Sequence, residues 1–185
     1  MFSASSSLTG ESVSRAIFIA ALLTSTSAVS AQVTRTWAGV ANFFEVASAW
    51  SPAGTPTSLD TIAFSTPTVS EVRFDFITGS RAAAQLTNSA GSPTFRRIGT
   101  GTSTLTISGT SSFTGSGTTT IQGDGANQIM ELNLGGLASV DNRFIFVNPH
   151  GKLTFSEMRV GTSAGNSVIA VSQDGAIEGG VLDVG

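Results

Sequence analysis

The segments Thr104-Leu105-Thr106-Ile107-Ser108 and Met130-Glu131-Leu132-Asn133-Leu134 decide the fold class. Both alternate apolar and polar residues, so one face of an extended strand would be apolar and the other polar. A glycine follows each segment directly. This pattern predicts short, half-buried β-strands that are separated by turns.

More apolar runs of this kind follow toward the C-terminus, at residues 144–147, 153–155, 158–160, 168–171 and 181–184. The dipeptides Asp124-Gly125 and Asp174-Gly175 favour tight turns, because these residue types tolerate a positive φ. Only residues 79–88, with Arg81-Ala82-Ala83-Ala84-Gln85-Leu86 among them, have helical propensity, and that segment is short enough to be a loop instead.

Strands of this length can wind as a right-handed single-stranded β-helix (a solenoid) or form hairpins in a β-sandwich. Threonine and asparagine recur where stacked sheets place polar ladders, and the glycines stand at corners rather than in two-residue hairpin loops. These features favour the β-helix and leave the β-sandwich as the alternative. The spacing is irregular, since Leu105, Leu132 and Leu153 are separated by 27 and then 21 residues.

Composition limits the chemistry that the chain can perform. Its 185 residues suffice for one domain with a core, and only 11% of them are charged. The net charge is −3, and the basic residues form no stripe that would neutralise phosphates, so we expect no nucleic-acid binding. Cysteine is absent, which excludes disulfides, thiolate zinc sites and cysteine nucleophiles.

Residues 1–31 have the layout of a signal peptide. A polar stretch ends at Arg15, an apolar run spans residues 16–23, and small residues close on Val29-Ser30-Ala31. The layout predicts cleavage before Gln32 and export to the medium or the cell-envelope surface. The alternative is a membrane anchor, but the run has about eight residues where a span needs about 20. No later segment is apolar enough to span a membrane, so we expect no span in the mature chain.

The mature chain divides by texture into two regions. Residues 32–98 hold both tryptophans and most of the prolines, which predicts short capping strands. Residues 99–185 predict the β-helical repeat region. That region closes on the strand pattern Val181-Leu182-Asp183-Val184, and a repeat array needs a terminal cap, so we expect this chain to be truncated at its C-terminus.

A family resemblance is carried by Thr36-Trp37-Ala38-Gly39, Ala49-Trp50-Ser51, Pro56 and Asp60-Thr61-Ile62-Ala63-Phe64. This order of motifs resembles the autotransporter-associated β-strand repeat proteins, which are passenger-type bacterial surface proteins, often with a C-terminal sorting signal. The glycine-closed strands, such as Leu105-Thr106-Ile107-Ser108-Gly109, are similar to those of the same passengers. The resemblance implies secretion or display of a long β-helical body, without a shared enzymatic activity.

Four residues are candidates for glycan contact. Trp37 and Trp50 could form a sugar-stacking platform, although such aromatics more often seal the end of a β-helix. Arg96 and Arg97 could contact an anionic glycan, although a solvated turn is the simpler interpretation. We therefore expect partners among glycans or other surface proteins.

Catalysis is the weaker hypothesis. Carboxylates at Glu131, Asp141, Glu157 and Asp174, with Arg143 or Arg159 beside them, would suit a secreted polysaccharide lyase or hydrolase. They are spread singly, as solvent-facing strand residues are.

The sequence predicts neither a catalytic histidine nor a metal site. The single histidine, His150, lies in a turn without a nucleophile elbow nearby. Residues 123–127 resemble one calcium nonapeptide, but such sites need tandem copies. The sequence thus predicts a structural or adhesive surface protein without catalytic activity, cofactor or metal.

Overall fold

The computed structural model describes residues 31–38, 41–75, 79–161 and 165–185. All but the last residue of the predicted signal peptide therefore lie outside the described residues. The described chain is built of β-strands, with one 3-10 turn at Ala47–Ala49 and no α-helix. A search of this part of the chain found no helix long and apolar enough to cross a membrane.

The strands form three stacks, in each of which equivalent strands of successive coils lie side by side. The first stack contains β6 (Gly79–Ala83), β9 (Gly101–Ile107) and the first halves of β12 (Gln128–Val140), β14 (Gly151–Val160) and β16 (Ala176–Val184). The second contains β1 (Thr34–Trp37), β4 (Thr61–Phe64), β7 (Gln85–Asn88), β10 (Ser111–Phe113) and the second halves of β12, β14 and β16. The third contains β2 (Asn42–Phe43), β5 (Val69–Phe74), β8 (Ser92–Arg97), β11 (Thr118–Gly123), β13 (Phe144–Val147) and β15 (Val168–Val171).

The described residues between 32 and 185 form a β-solenoid of about six turns. Within each stack, a strand pairs in parallel with the equivalent strand of the next coil. A hairpin sandwich would pair sequential strands antiparallel, so the solenoid prediction is confirmed and the sandwich alternative is wrong. The stacked strands are not confined to the predicted repeat region, residues 99–185. Strand β8, which lies within residues 32–98, pairs in parallel with both β5 and β11.

Apolar side chains point inward at every coil and build one core. The ladder through Leu105, Leu132, Leu153 and Ile177 is in register, and its first three members are fully buried. This is the face predicted from the alternating pattern of residues 104–108 and 130–134. Side chains of successive coils touch because paired strands lie only about 4.8 Å apart.

Glycines stand at the corner between the first and second stacks. A Cβ added at Gly136 would lie 2.4 Å from the carbonyl oxygen of Gly109, and one at Gly180 would lie 2.5 Å from that of Ser156. No side chain fits at such a distance, because each corner rests directly on the backbone of the coil before it. The recurrence of glycine at corners is thereby explained.

Buried aromatics close the N-terminal end of the solenoid. The rings of Trp37 and Trp50 meet edge-to-face with centroids 4.9 Å apart. Phe44 packs against Trp50 at 5.3 Å and against Phe74 at 5.3 Å. Strand β3 (Trp50–Ser51) turns back antiparallel to β1, so a reversed strand covers the first coil.

Two local features differ from the sequence predictions. Residues 79–88 form β6 and β7 rather than a helix or a loop, because parallel partners in the neighbouring coils supply more backbone hydrogen bonds than a short helix could. The predicted positive φ is found in one of the two turns, at Asp174, where φ is 63°. In the other turn it is absent, since neither Asp124 nor Gly125 has a positive φ.

Candidate binding surface

The two tryptophans belong to the core and not to a surface platform. Each is only 2% exposed, and the indole N–H of Trp50 donates a 2.8 Å hydrogen bond to the Phe44 carbonyl oxygen. Their faces are covered by other aromatic rings, so a sugar cannot stack on them. The glycan-platform prediction is corrected, and the end-sealing alternative describes their position.

Arg97 is also buried, with no exposed surface. Its guanidinium donates hydrogen bonds to Ser103 Oγ at 2.9 Å and to the Thr100 carbonyl oxygen at 2.5 Å. Burial lowers the pKa of Arg97. Because adjacent strand residues point to opposite faces, Arg96 and Arg97 cannot both reach a ligand outside, and the prediction for Arg97 is wrong.

Arg96 does reach the outer surface, where two acidic residues engage it. Its guanidinium lies 2.6 Å from the Asp124 carboxylate and 3.1 Å from the Glu71 carboxylate. The hydrogen bonds to Asp124 and Glu71 raise the pKa of Arg96 further. Arg96 therefore links three successive coils, and its guanidinium is already paired with two carboxylates rather than free to bind an anionic ligand.

The four candidate catalytic carboxylates do not meet. Glu131 lies on the first stack, where Lys152 approaches it at 3.8 Å and also binds Glu178 at 2.9 Å. Glu157 lies at the next corner and pairs with Arg159 at 2.9 Å.

The remaining members of the hypothetical catalytic set lie elsewhere in the coils. Asp141 follows the end of β12, and Asp174 stands in the turn before β16. Arg143 is fully buried, donates to the carbonyl oxygens of Thr114 (2.7 Å) and Gly91, and has its pKa lowered to about 10 by burial. A guanidinium held inside the core cannot stabilise charge on a surface-bound polysaccharide.

His150 occupies a turn between coils, as expected from the sequence, with a φ of 59°. Its backbone N–H donates to the carbonyl oxygen of Asp174 at 2.9 Å, so it helps to join two successive turns. Among the residues that the structure describes, no group of three or more His, Asp or Glu side chains could hold a metal ion.

The aspartate of the resemblance motif, Asp60, has a structural environment. Its buried carboxylate accepts hydrogen bonds from the backbone N–H groups of Thr57 (2.8 Å) and Val33 (3.2 Å) and from Arg35 Nε (3.0 Å). Burial would raise the pKa of Asp60, but these donors together hold it below its usual value. Asp60 therefore anchors the first coil rather than facing a ligand.

An aromatic pair stands on the outer face of the third stack. Phe144 and Phe146 alternate with inward residues along β13 and are 39% and 37% exposed. Their rings are nearly parallel, at 10°, with centroids 6.3 Å apart. Together the two rings form a contiguous apolar patch on this face, and such patches are a feature of interaction surfaces.

Hydroxyl and amide groups border this pair. Thr118 is the register partner of Phe144, and Thr120 is that of Phe146, so two hydroxyl-bearing side chains flank the rings on the preceding coil. At the end of the same strands, Asn148 Nδ2 donates to Gln122 Oε1 at 3.3 Å. We name these six residues the phenyl–threonine patch; none of them carries a charge.

Sequence reasoning missed this patch. Residues 144–147, Phe-Ile-Phe-Val, are all apolar, so alternation cannot show which residues point outward. The register with β11 fixes it, because the inward Thr119 pairs with Ile145 and leaves both phenylalanines outside. No signal in residues 144–147 alone could have found them.

Comparison with known proteins gives no relative: no family model, no curated protein and no solved structure matches this chain.

Proposed function

We propose that this chain is a secreted or cell-surface structural protein that adheres to its partners through the outer face of the solenoid, without catalysis. The observation that carries the proposal is the phenyl–threonine patch. It offers exposed aromatic surface beside hydroxyl and amide groups on a rigid sheet, which is the usual composition of a recognition surface.

The uncharged character of the patch indicates the chemistry of the partner. Arg96, the register neighbour of Gln122 on the preceding coil, is already paired with the Asp124 carboxylate at 2.6 Å. A neutral glycan chain or an uncharged protein surface would lose no ion solvation on binding here, whereas a polyanion would find no free cation. A flat parallel sheet also suits extended partners, because it presents the same spacing from coil to coil.

The polysaccharide-lyase or hydrolase alternative gains no support from the geometry. A glycosidase needs two carboxyl groups facing each other across a sugar, about 5 to 10 Å apart. Among the candidates, Glu131 and Glu157 each have a basic partner, and Arg143 is buried. The adhesive proposal requires none of these groups to act.

Binding to a panel of insoluble neutral and acidic glycans, and to envelope preparations, tests the proposal. We expect retention on a neutral glycan or on the envelope, and a loss of roughly tenfold or more in affinity for the double variant Phe144→Ala/Phe146→Ala. Val69→Ala is the matched control, because Val69 is 86% exposed on the same stack but lies three coils away. Unchanged binding of the double variant would refute the adhesive role of the patch. Release of sugar fragments during incubation would refute the proposal that the protein acts without catalysis.

A further inference from the structure

Two rows of side chains, each a line of register partners, cross the coils on the outer face of the third stack. Thr94, Thr120 and Phe146 are register partners on β8, β11 and β13 and form one row. Thr118 and Phe144 belong to the other. Within a row the spacing is that of the coils, about 4.8 Å, whereas the two rows are two residues apart along the strands, about 6.6 Å. The surface therefore has a short repeat along the solenoid axis and a longer one along the strands.

The threonine hydroxyls of these rows are available to a ligand. In the part of the chain that the structure describes, no hydrogen bond engages the hydroxyl of Thr94, Thr118 or Thr120. By contrast, the hydroxyl of Thr104 on the first stack donates to Glu131 at 3.1 Å. The three free hydroxyls stand on half-buried side chains of a rigid sheet. Because threonine is restricted at χ1, little conformational freedom is lost when such a side chain binds.

The amide pair beside the rows offers both kinds of hydrogen-bonding group. The bond from Asn148 Nδ2 to Gln122 Oε1 uses one donor and one acceptor. It leaves the Asn148 Oδ1 acceptor and the Gln122 Nε2 donor for a ligand. A sugar hydroxyl both donates and accepts hydrogen bonds, so it can satisfy this pair without carrying a charge.

The uncharged area is small and suits a narrow ligand. On one face of a sheet a residue covers about 4.8 Å by 6.6 Å, so the six positions of the phenyl–threonine patch cover about 200 Å². A standard protein–protein interface needs about 800 Å² per partner. Next to Gln122 on the preceding coil stands Arg96, which is already paired with Asp124 and Glu71. These dimensions favour a single glycan chain over the surface of a folded protein.

We propose that the outer face of the third stack binds an unbranched, neutral polysaccharide in an extended conformation, which crosses the strands along the solenoid axis. This inference rests on the proposed adhesive role of the patch and names the partner. In an extended β-linked chain each pyranose unit advances by about the distance between two coils, about 4.8 Å, so successive units meet Thr94, Thr120 and Phe146. A chain lying along β13 would meet contacts about 6.6 Å apart and would be out of step with them.

The two kinds of side chain in a row have separate tasks. The phenyl ring of Phe146 takes the apolar C–H face of one sugar unit, and the nearly parallel ring of Phe144, 6.3 Å away, widens that apolar platform. The hydroxyls of Thr120 and Thr94 bind the polar edges of the units that follow. The absence of any charge among these groups selects against charged sugars, whose solvation would be lost without compensation.

Binding of short glycans to the purified chain tests the class of ligand. The probes are neutral β-1,4-linked oligomers of glucose, mannose, xylose and N-acetylglucosamine, each as dimer, trimer and hexamer, and the α-1,4-linked glucose hexamer, which coils. We expect at least one β-linked series to bind. The trimer and the hexamer should bind alike and the dimer several-fold more weakly, because three units span the row from Thr94 to Phe146. Equal affinity for the α-linked hexamer would overturn the extended conformation, and binding of none of the oligomers would overturn the proposal.

Replacing single threonines tests the direction of the glycan. Thr94→Val and Thr120→Val should each weaken binding several-fold through the loss of one hydroxyl, and valine keeps the shape and strand preference of threonine. Thr106→Val is the matched control and should leave binding unchanged, because Thr106 is a half-buried outward threonine on the first stack. Thr94 lies two coils from β13, out of reach of a chain that follows that strand. A loss for Thr120→Val without one for Thr94→Val would therefore overturn the crossing arrangement.

Binding to envelope preparations separates this inference from the adhesive role on which it rests. A chain that binds the envelope through Phe144 and Phe146 but binds none of the oligomers would keep its adhesive role, and the glycan inference would be wrong. A chain that binds neither the oligomers nor the envelope would overturn both.

Discussion

The side-chain amide of Asn88 donates a 2.9 Å hydrogen bond to the hydroxyl oxygen of Thr119 inside the core of the solenoid. Asn88 belongs to the second stack, where its register neighbours are Phe64 and Phe113, and Thr119 belongs to the third stack in the next coil. A coil that slipped along its neighbour would leave both groups unpaired among apolar side chains. The pair therefore helps to select one register for the stacked coils.

This hydrogen bond can be tested with a double-mutant cycle. Thr119→Val should cost about 1–3 kcal/mol of unfolding free energy, because it leaves the buried Asn88 amide without this acceptor. Asn88→Leu in the Thr119→Val background should recover part of that loss, since no buried amide then remains. Additive losses in chemical denaturation would show that the two side chains are not coupled.

The register of the first stack predicts opposite tolerance at two adjacent positions. Leu132 is fully buried, whereas Glu131 is partly exposed and paired only at the surface. Leu132→Ala should cost about 2–5 kcal/mol of unfolding free energy, and Glu131→Ala less than about 1 kcal/mol. Urea denaturation of both variants measures the difference, and equal losses would refute the assigned register.

The corner between the first two stacks should reject any side chain. Gly136→Ala should destabilise the fold by about 1–3 kcal/mol, because its Cβ would lie 2.4 Å from the Gly109 carbonyl oxygen. Gly125→Ala provides the matched control, since a Cβ there has nothing within 4 Å. Thermal unfolding of the two variants should separate them clearly, and a similar midpoint for both would mean that the corners are not in contact.

Acidification should weaken the anchoring of the first coil through Asp60. The pKa of this carboxyl is lower in the folded chain than in the unfolded one, so its stabilisation is complete above the ordinary value near 4 and is lost as the pH falls through the folded value. Asp60→Asn should therefore cost about 2–3 kcal/mol at neutral pH and progressively less in acid. A stability gap that does not change with pH would contradict this role.

Much of the fold could be predicted from the sequence, because the solenoid repeats one simple rule. Alternation at residues 104–108 and 130–134 identifies the strands and their buried faces, and the glycines identify the corners. Residues 79–88 show the limit of such reasoning. Their alanines suit a helix when considered alone, but strands one coil before and one coil after them provide the pairing that makes them extended.

The candidate site was harder to predict for two physical reasons. Side-chain direction in Arg96-Arg97 and in residues 144–147 depends on the register with the neighbouring coil, which local composition does not reveal. The tryptophans have the right chemistry for a sugar platform, but aromatic rings are also the best material for closing an apolar core, and burial at 2% exposure shows that they close it.

The measurement that tests the proposed role most directly is the mass and N-terminal sequence of the protein in cell, envelope and medium fractions of its native host. A surface or secreted protein should be found in the envelope or medium with its N-terminus at Gln32. A chain that keeps Met1 and stays in the cytoplasm would contradict the export prediction, and with it the proposal that this solenoid acts at the cell surface.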